Sequence, residues 1–457
     1  MLLGKPFIAF IRKSPVSVMV SGTLERIFDP VVLDRVFQDY AVSGYFKKLT
    51  FSQCVQIMSS VVFKEFPSVG AYYQALQDEI PVNRQSLYDK LKRMELQIPA
   101  GLVHYSAEEL LPCVKAMGSQ APPLLAHYRV RALDGNHLAG TEHRIFELRC
   151  FRAAALPGQS LVFYDPRYGL ITDVIPCEDA YAQERSLLGQ ALACIFARDC
   201  ILADRNFCTS GFLFGIHRQQ AFFVIRQHAS TLSWELRGKR SLAGQDGRGR
   251  DIYEQAVCLT DPKTGETFTA RRITIALDKP NKDGATELHI LSNLPREAAS
   301  AVRIADLYAD RWTIETAFQQ LTVDLRCEIN TLGYPKAALF GFCVACVAFN
   351  VVSVVKAAIR VTQGTKYVEE ELSMYYLTLE VAQMTPGMMI AVPAENWEIF
   401  RTMSQEKFAA TLVDLARRLD PRKYTKHKRG PKRKPPKKIS GKRYHHLSTA
   451  RVLTMRK

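Results

Sequence analysis

Two aspartates stand at the ends of predicted buried strands. Asp134 ends the strand in YRVRALDG, and Asp204 ends the strand in CILAD. If these strands are neighbours, the two carboxylates meet at one sheet edge, where oxygen ligands could hold divalent cations against a phosphate. A strand-end aspartate can instead organise a turn. These two residues alone therefore leave both interpretations open.

A third carboxylate, Glu315, lies in the segment LYADRWTIETAFQQLT, which we predict to be one helix. At about 100° per residue, polar side chains share the face that carries Glu315. They are Tyr308, Arg311, Gln319 and Thr322. Such a stripe suits a reaction site, but it is also the ordinary exposed side of an amphipathic helix.

The elements between Tyr128 and Gln227 follow the order β, β, β, α, β, α, β. Antiparallel strands followed by α/β crossovers predict an α/β fold, and this order is the one known from ribonuclease H-like domains. A β-rich segment with Gly and Asp-Gly turns follows at residues 230–292, and helical texture runs from residue 296 to about 419. The fold class is therefore a mixed sheet flanked by helices, with a β-rich insertion and an N-terminal helical domain.

The N-terminal part contains two helical patterns, at residues 68–76 and 84–94. They are compatible with a helix-turn-helix whose second helix enters a major groove, with Arg84 and Lys90 off its apolar side. Two amphipathic helices joined by a turn are common in helical domains, so a purely structural role stays open.

Positive charge is concentrated at the end of the chain. The net charge is +16, and 15 Lys or Arg but no acid follow Asp420. A near-neutral body with a cationic tail indicates a polyanionic partner, either nucleic acid or an anionic membrane surface. A hydrophobic fraction of 47% excludes a mostly disordered chain.

An uncharged run of 18 residues, 338–355, reaches the minimum length of a membrane span. Asn350 interrupts it and no second span follows, so we expect a buried core helix and no membrane association. The 11 cysteines and the absence of a secretory signal pattern predict a reduced cytoplasm. Cys343 and Cys346 lack a second Cys or His pair and are expected to be core residues.

Three short segments, LDGNH, ADRNF and YADRWTIETAF, resemble the signature regions of insertion-sequence DDE transposases of the IS-four-like group. The third region of that group reads Tyr, two residues, Arg, three residues, Glu, six residues, Lys. Tyr308, Arg311 and Glu315 match this spacing, whereas Thr322 stands where Lys is expected. The resemblance covers roughly residues 85–438.

The resemblance implies a metal-dependent enzyme that cuts transposon ends and joins them to target DNA. Asp134, Asp204 and Glu315 would be the catalytic residues and would bind two Mg²⁺ ions, for which Mn²⁺ can substitute. Tyr308 and Arg311 would hold phosphates of the transposon end. A two-metal endonuclease or resolvase on the same fold, or a DNA-binding relic that has lost its chemistry, remains an alternative.

The resemblance also implies partners and further contacts. The partners would be double-stranded DNA, as terminal inverted repeats and as target, and a second copy of the chain in the synaptic complex, within the nucleoid of a bacterial cytoplasm. Trp234 would stack on an extruded base, or would simply pack in its sheet. Basic tail residues would contact DNA, namely Lys428, Arg429, Lys432, Arg433 and Lys434.

We predict five segments along the chain. They are a terminal-repeat-binding helical domain (1–125), the first part of the ribonuclease H-like core (126–229), the β-rich insertion (230–295), the core helices (296–420) and a basic, flexible tail (421–457).

The tail should act through charge alone. Each phosphate neutralised contributes about −0.9 to the slope of log affinity against log salt, so removing the residues after Asp420 should flatten that slope by several units. Preference for transposon ends over random DNA should not fall, because the lost contacts carry no sequence information. Affinities for both DNAs across a salt series test this. Identical slopes would mean that the tail does not touch DNA.

Overall fold

The computed structural model describes residues 3–43, 48–228, 230–280, 284–427 and 430. Seven α-helices precede the first strand: α1 (Ile8–Lys13), α2 (Pro15–Ile27), α3 (Pro30–Tyr40), α4 (Phe51–Val62), α5 (Val69–Ala75), α6 (Arg84–Lys92) and α7 (Gln97–Met117). The two predicted N-terminal helices are confirmed as α5 and α6. Leu87, Leu91 and Met94 are buried, so the predicted apolar side of α6 faces the core.

The described strands form one sheet of nine. They are β1 (Arg129–His137), β2 (Gln159–Asp165), β3 (Leu170–Cys177), β4 (Asp199–Ala203), β5 (Phe222–Arg226), β6 (Ser233–Gln245), β7 (Asp251–Thr260), β8 (Thr267–Ala276) and β9 (Glu287–Ser292). The order is β3-β2-β1-β4-β5-β9-β8-β7-β6. β1, β4 and β5 are parallel, and the other pairs are antiparallel.

This architecture confirms the predicted fold class, a ribonuclease H-like mixed sheet flanked by helices. Helices α8 (Leu188–Ala193) and α9 (Ser210–Arg218) lie along the chain between the parallel strands, as the crossovers require. The β-rich insertion extends the same sheet, since β9 pairs with β5 through Val224 and Ser292. β3 and β6 are the two edge strands, and β6 carries two register shifts against β7.

Three predicted boundaries are wrong. β1 continues past Asp134 to His137, because its pairing with β2 outlasts its pairing with β4. The helix predicted between the third and fourth strands, which the sequence pattern places at residues 179–197, is only a 3₁₀ turn, Glu184–Leu187, followed by α8. The Gln159 side chain binds the carbonyls of Asp179 and Ala182, which holds the segment before this turn out of helix.

The third wrong boundary concerns the helix predicted around Glu315. It is two helices, α10 (Ala301–Asp310) and α11 (Thr313–Val323), separated at Arg311 and Trp312. At this break the backbone N–H groups of Arg311 and Trp312 bond carbonyls three residues back, which is the tighter 3₁₀ pattern. Arg311 therefore lies at the junction between α10 and α11.

The C-terminal part begins with the longest helix, α12 (Pro335–Gln363). It continues with a π-helical turn (Tyr367–Glu371), α13 (Met374–Ala391), α14 (Ala394–Thr402) and α15 (Gln405–Arg417). The apolar part of α12 is long enough to span a bilayer, yet it is entirely buried within the protein, as predicted. It packs against α2, α4, α7, α15 and β3. The N-terminal and C-terminal helices therefore share one core.

The start of the predicted tail is folded. Residues Pro421–Tyr424 form a 3₁₀ turn, and Tyr424 is buried and donates its hydroxyl hydrogen bond to Glu380. Thr425 pairs with Leu372 as an isolated β-bridge. A deletion that tests the tail should accordingly begin after His427. The predicted DNA-binding residues of the tail lie outside the described residues.

Asn350 fastens α12 to the edge strand β3. It is fully buried, its Oδ1 accepts from the N–H of Ile171 at 2.8 Å, and its Nδ2 donates to the carbonyl of Ile171 at 2.8 Å and to Ser106 Oγ at 3.0 Å. This polar interruption of the apolar run thus satisfies both backbone groups of an edge-strand residue. A buried backbone group without a partner is strongly unfavourable.

A second buried polar cluster surrounds Arg131, a fully buried residue of β1. Its guanidinium donates to Asp173 at 2.8 Å and to Asp199 at 2.6 Å, and Asp173 also bonds His104 of α7 at 2.9 Å. These contacts assign a structural role to Asp173 and Asp199, because removing one partner of a buried ion pair costs several kcal/mol.

Replacing Asn350 with Leu should destabilise the protein strongly. The substitution leaves the N–H and carbonyl of Ile171 without partners, at roughly 1–3 kcal/mol for each group. We expect a free energy of unfolding lower by about 2–5 kcal/mol, measured by denaturant unfolding. Asn330→Leu, at an exposed position, is the matched control and should change it by less than about 1 kcal/mol. Equal effects at both positions would contradict this role of Asn350.

Candidate active site

Asp134 and Asp204 start from neighbouring parallel strands. The last parallel pair joins Leu133 of β1 to Ala203 of β4, and each aspartate is the next residue in its strand's direction. Asp204 Oδ1 also accepts from the N–H of Asn206 at 2.7 Å and caps the short turn that follows. Asp204 therefore organises a turn, and it also directly follows a strand that lies beside the strand carrying Asp134.

Arg311 joins Asp134 to Glu315. Its guanidinium donates to Asp134 Oδ2 at 3.0 Å and to Glu315 Oε1 at 3.1 Å. The residue is only 7% exposed, and its Nε has no hydrogen-bond partner among the described residues. One buried cation thus holds together carboxylates that come from β1 and from the first turn of α11.

The surroundings of Asp134 oppose its negative charge. Burial raises the pKa of Asp134 to about 6, the Arg311 guanidinium and the Gly135 N–H lower it, and the carboxylates of Asp204 and Glu184 raise it. Arg311 supplies a single positive charge to a group of four carboxylates. The resulting excess of negative charge favours the binding of a further cation.

Glu184 is a site residue that the sequence analysis missed. A Cβ on Gly135 would lie 1.9 Å from Glu184 Oε1, so the carboxylate packs directly over this glycine. Glu184 Oε2 also accepts from Asn206 at 3.4 Å, and burial followed by the charge of Asp204 raises the pKa of Glu184. The glycine beside Asp134 was the available signal, because glycine permits such close approach.

The carboxylates near Arg311 have the ligand chemistry of a hard divalent cation, but not yet the spacing of a metal site. Four carboxylates supply oxygen ligands, which such cations prefer. Within the described ranges, however, no three His, Cys, Asp or Glu side chains are grouped as closely as metal ligands. Arg311 instead provides the compensating positive charge between Asp134 and Glu315.

The other residues of the predicted polar face have distinct environments. Tyr308 is partly buried, and burial raises its pKa while the nearby Arg311 lowers it. Thr322 is exposed and donates its hydroxyl hydrogen bond to the Phe318 carbonyl. Lys336 is a lysine outside this helix, and its ammonium group lies 3.8 Å from Glu178, so it already has an acidic neighbour.

Three other predicted DNA contacts have surroundings of their own. Trp234 is partly buried on the core beneath β6, with the Arg272 guanidinium 5.3 Å from its ring centre. Arg84 is exposed and lies 5.9 Å from the ring of Tyr88. Lys90 is partly buried, and burial lowers its pKa.

Comparisons with known proteins find similarity over parts of this chain. Residues 126–349 match the family model described as a transposase DDE domain. A probable transposase for insertion sequence element IS5377 from Geobacillus stearothermophilus is 27% identical over 158 residues, which is 35% of this chain and 38% of that protein. The chain thus matches little more than a third of that relative's length.

A solved structure is also similar at low identity. It is a cryo-EM structure of the piggyBac transposase synaptic complex with hairpin DNA. The match has 10% identity and a TM-score of 0.34, and it covers 90% of this chain and 80% of that chain.

Replacing Arg311 with Met should make stability depend on divalent cations. Asp134 would lose its buried ion partner, and we expect about 1–3 kcal/mol of destabilisation in the absence of metal. Millimolar Mn²⁺ should restore more stability to this variant than it adds to the unmodified protein, because a bound cation would replace the lost charge. Denaturant unfolding with and without Mn²⁺ measures both effects.

Arg149→Met, at an exposed position, is the control for that experiment and should behave like the unmodified protein. If Mn²⁺ changes the stability of all three proteins equally, the carboxylates around Arg311 do not form a cation site.

Proposed function

We propose that the protein is an insertion-sequence transposase that cuts transposon ends and transfers them into target DNA, since residues 126–349 match the family model of a transposase DDE domain. The observation that carries the proposal is the bridge from Arg311 to Asp134 and Glu315, beside Asp204. Carboxylates from the ends of two neighbouring strands and from a helix thereby lie around one buried arginine.

We propose Asp134, Asp204 and Glu315 as the catalytic carboxylates and the ligands of Mg²⁺, with Glu184 beside them. Bound divalent cations would activate the attacking water or DNA 3′-hydroxyl and stabilise the charge on the reacting phosphate. The protein itself contributes a partly buried group of oxygen donors on β1, directly after β4 and on α11. Burial and mutual repulsion of the carboxylates favour cation binding over any neutral ligand.

Arg311 would also bind the DNA. Its guanidinium offers a planar fork of donors that matches two phosphate oxygens. Its present partners, Asp134 and Glu315, are the carboxylates proposed to bind metal, so the same fork can serve a phosphate when these carboxylates have other partners. The exposed ring of Trp312 lies 5.1 Å from the Arg311 guanidinium and faces solvent beside it.

The proposed partners are double-stranded DNA and a second copy of the chain. The net charge of +16, concentrated after Asp420, supports binding to a polyanion. A two-metal endonuclease on the same fold would cleave but not join strands. A catalytically impaired relic is favoured by one observation, the Thr at position 322. Strand-joining assays with the repeats that flank the gene distinguish these possibilities.

Isosteric replacement of the three carboxylates should separate chemistry from binding. The variants are Asp134→Asn, Asp204→Asn and Glu315→Gln. Each removes a negative charge that helps to hold the metal ions, and these ions stabilise the transition state by several kcal/mol. Mg²⁺-dependent cleavage of a transposon-end duplex should therefore fall on the order of a thousandfold. Binding of the same duplex should change less than about threefold, because phosphate contacts outside the metal site position the DNA.

Two further variants sharpen this experiment. Asp306→Asn, on the exposed side of α10, is the control and should cleave normally. Glu184→Gln should reduce cleavage less than the other three, because Glu184 acts beside the proposed ligands. A Glu315→Gln protein that cleaves at the unmodified rate would remove this residue from the catalytic site.

Replacing Thr322 with Lys should strengthen binding to transposon ends. The side chain is exposed on α11, so an ammonium group can reach a phosphate without displacing core residues. We expect about a threefold to tenfold gain at low salt that disappears at high salt, as an added point charge near a phosphate would give. Thr322→Gln is the uncharged control. Equal affinity for both variants would place this position away from DNA.

A further inference from the structure

A cavity of about 650 Å³ lies behind helix α11, on the side away from Glu315. Thr313, Thr316 and Gln320 of α11 line it, and they lie about 100–160° around the helix from Glu315. The hairpin turn between β2 and β3, the connection after α7 and the C-terminal half of α12 form the other walls. Its volume is within the range of roughly 300–1,000 Å³ that is common for ligand sites.

Positive charge predominates on these walls. Arg167, Lys356 and Arg360 line the cavity, and Glu369 is the acid among its lining residues. Arg360 donates to Glu369 Oε1 at 2.6 Å, so this acid is already engaged. Lys356 has no hydrogen bond or close ion pair with any residue that the structure describes; burial lowers its pKa, and the more distant charges of Glu369 and Asp324 raise it. An ammonium group that is partly buried without a hydrogen-bond partner is costly, and an anion in direct contact would compensate for it.

Several buried polar atoms beside Lys356 also lack partners within the described part of the chain. They are Arg167 Nε, Gln120 Oε1 and Ser119 Oγ. Such atoms are uncommon in folded proteins and require an explanation. A ligand that offers both acceptors and donors, such as a phosphate together with a base or a sugar, would satisfy them.

Aromatic side chains complete the cavity. Tyr164, Tyr168 and Phe349 line it, and Tyr164 contacts Phe349 edge-on with ring centres 6.2 Å apart. Aromatic side chains beside cations suit a nucleotide, because the base can stack on a ring while the phosphate meets the positive charge. The residues after Asp420 include no Asp or Glu, so no acidic side chain of that segment could occupy the cavity in place of a bound anion.

We propose that this cavity is a nucleotide-binding site, in which Lys356 and Arg167 bind the phosphate and the aromatic wall contacts the base. The ligand is a nucleotide phosphate, supplied either by a free mononucleotide or by the 5′-phosphorylated end of a DNA strand. The site is separate from the carboxylates around Arg311, and the proposal does not depend on cleavage. Helix α11 nevertheless connects the two, since its opposite faces line the cavity and carry Glu315.

Calorimetric titration of the full-length protein with dAMP in EDTA tests the proposal. We expect saturable binding with one site per chain, weakened tenfold or more in Lys356→Met and in Arg167→Met. Met preserves most of the length of each side chain and removes its charge. Lys263→Met, at an exposed turn, is the matched control and should bind dAMP like the unmodified protein. Inorganic phosphate should bind more weakly than dAMP, because it lacks the base.

A 5′-phosphorylated tetranucleotide distinguishes the two sources of the ligand. If it binds more tightly than dAMP with the same dependence on Lys356, the site takes a DNA end, and if only dAMP binds, the site takes a free nucleotide. Both results support the proposal. No saturable dAMP binding, or binding unchanged in both Met variants, overturns it. Asp134→Asn should bind dAMP normally, so failure of the proposed cleavage reaction would leave this result unaffected.

Discussion

Burial of α12 on all sides is the constraint on which the rest of the structure depends. A 29-residue helix with a continuous apolar surface must be covered completely, and no single neighbouring helix can do so. Helices from the N-terminal part, helices from the C-terminal part and strand β3 each cover a portion of it. The polar side chain of Asn350 fixes the rotation of α12 against β3, since only one orientation satisfies Ile171. The helical body and the sheet are consequently built as one unit.

The candidate active site depends on charges that are only partly compensated: several carboxylates surround one arginine. Arg311 neutralises part of a partly buried carboxylate group and contacts both Asp134 and Glu315, the latter at the i, i+4 spacing of a helix. Burial raises the pKa of Asp134, and the charges of Asp204 and Glu184 raise it further against the opposing charge of Arg311. A cation site of this kind trades stability for affinity, because the carboxylates repel one another until a cation is bound.

Much of this arrangement could be predicted from local sequence patterns. The order of strands and helices along the chain between Tyr128 and Gln227 followed from apolar runs and turn residues. The proximity of Asp134 to Asp204 followed from the geometry of neighbouring parallel strands. The buried state of α12 followed from the polar residues Asn350 and Ser353 within an otherwise apolar run. These features depend on periodicity and on adjacent elements, which a sequence displays directly.

The features that were missed depend on contacts between residues distant in sequence. Glu184 reaches the site only because a 3₁₀ turn replaces the predicted helix and because Gly135 leaves room for it. The partial burial of Lys90 depends on packing that its own segment does not reveal. The break at Arg311 likewise leaves no Pro or Gly in the sequence to mark it. Tertiary contacts override local propensity at each of these points.

The two edges of the nine-stranded sheet are protected by different means, and this has a consequence for how the protein behaves at high concentration. An uncovered edge is a template for intermolecular strand pairing and aggregation. On β3, α12 occupies backbone groups of Ile171 through Asn350. On β6, register shifts and the exposed cations Arg237, Lys239 and Arg240 interrupt a strand that also exposes Leu236 and Leu242. Colloidal solubility of the purified protein therefore depends on charge at one edge and on packing at the other, so that high salt weakens only the protection of β6.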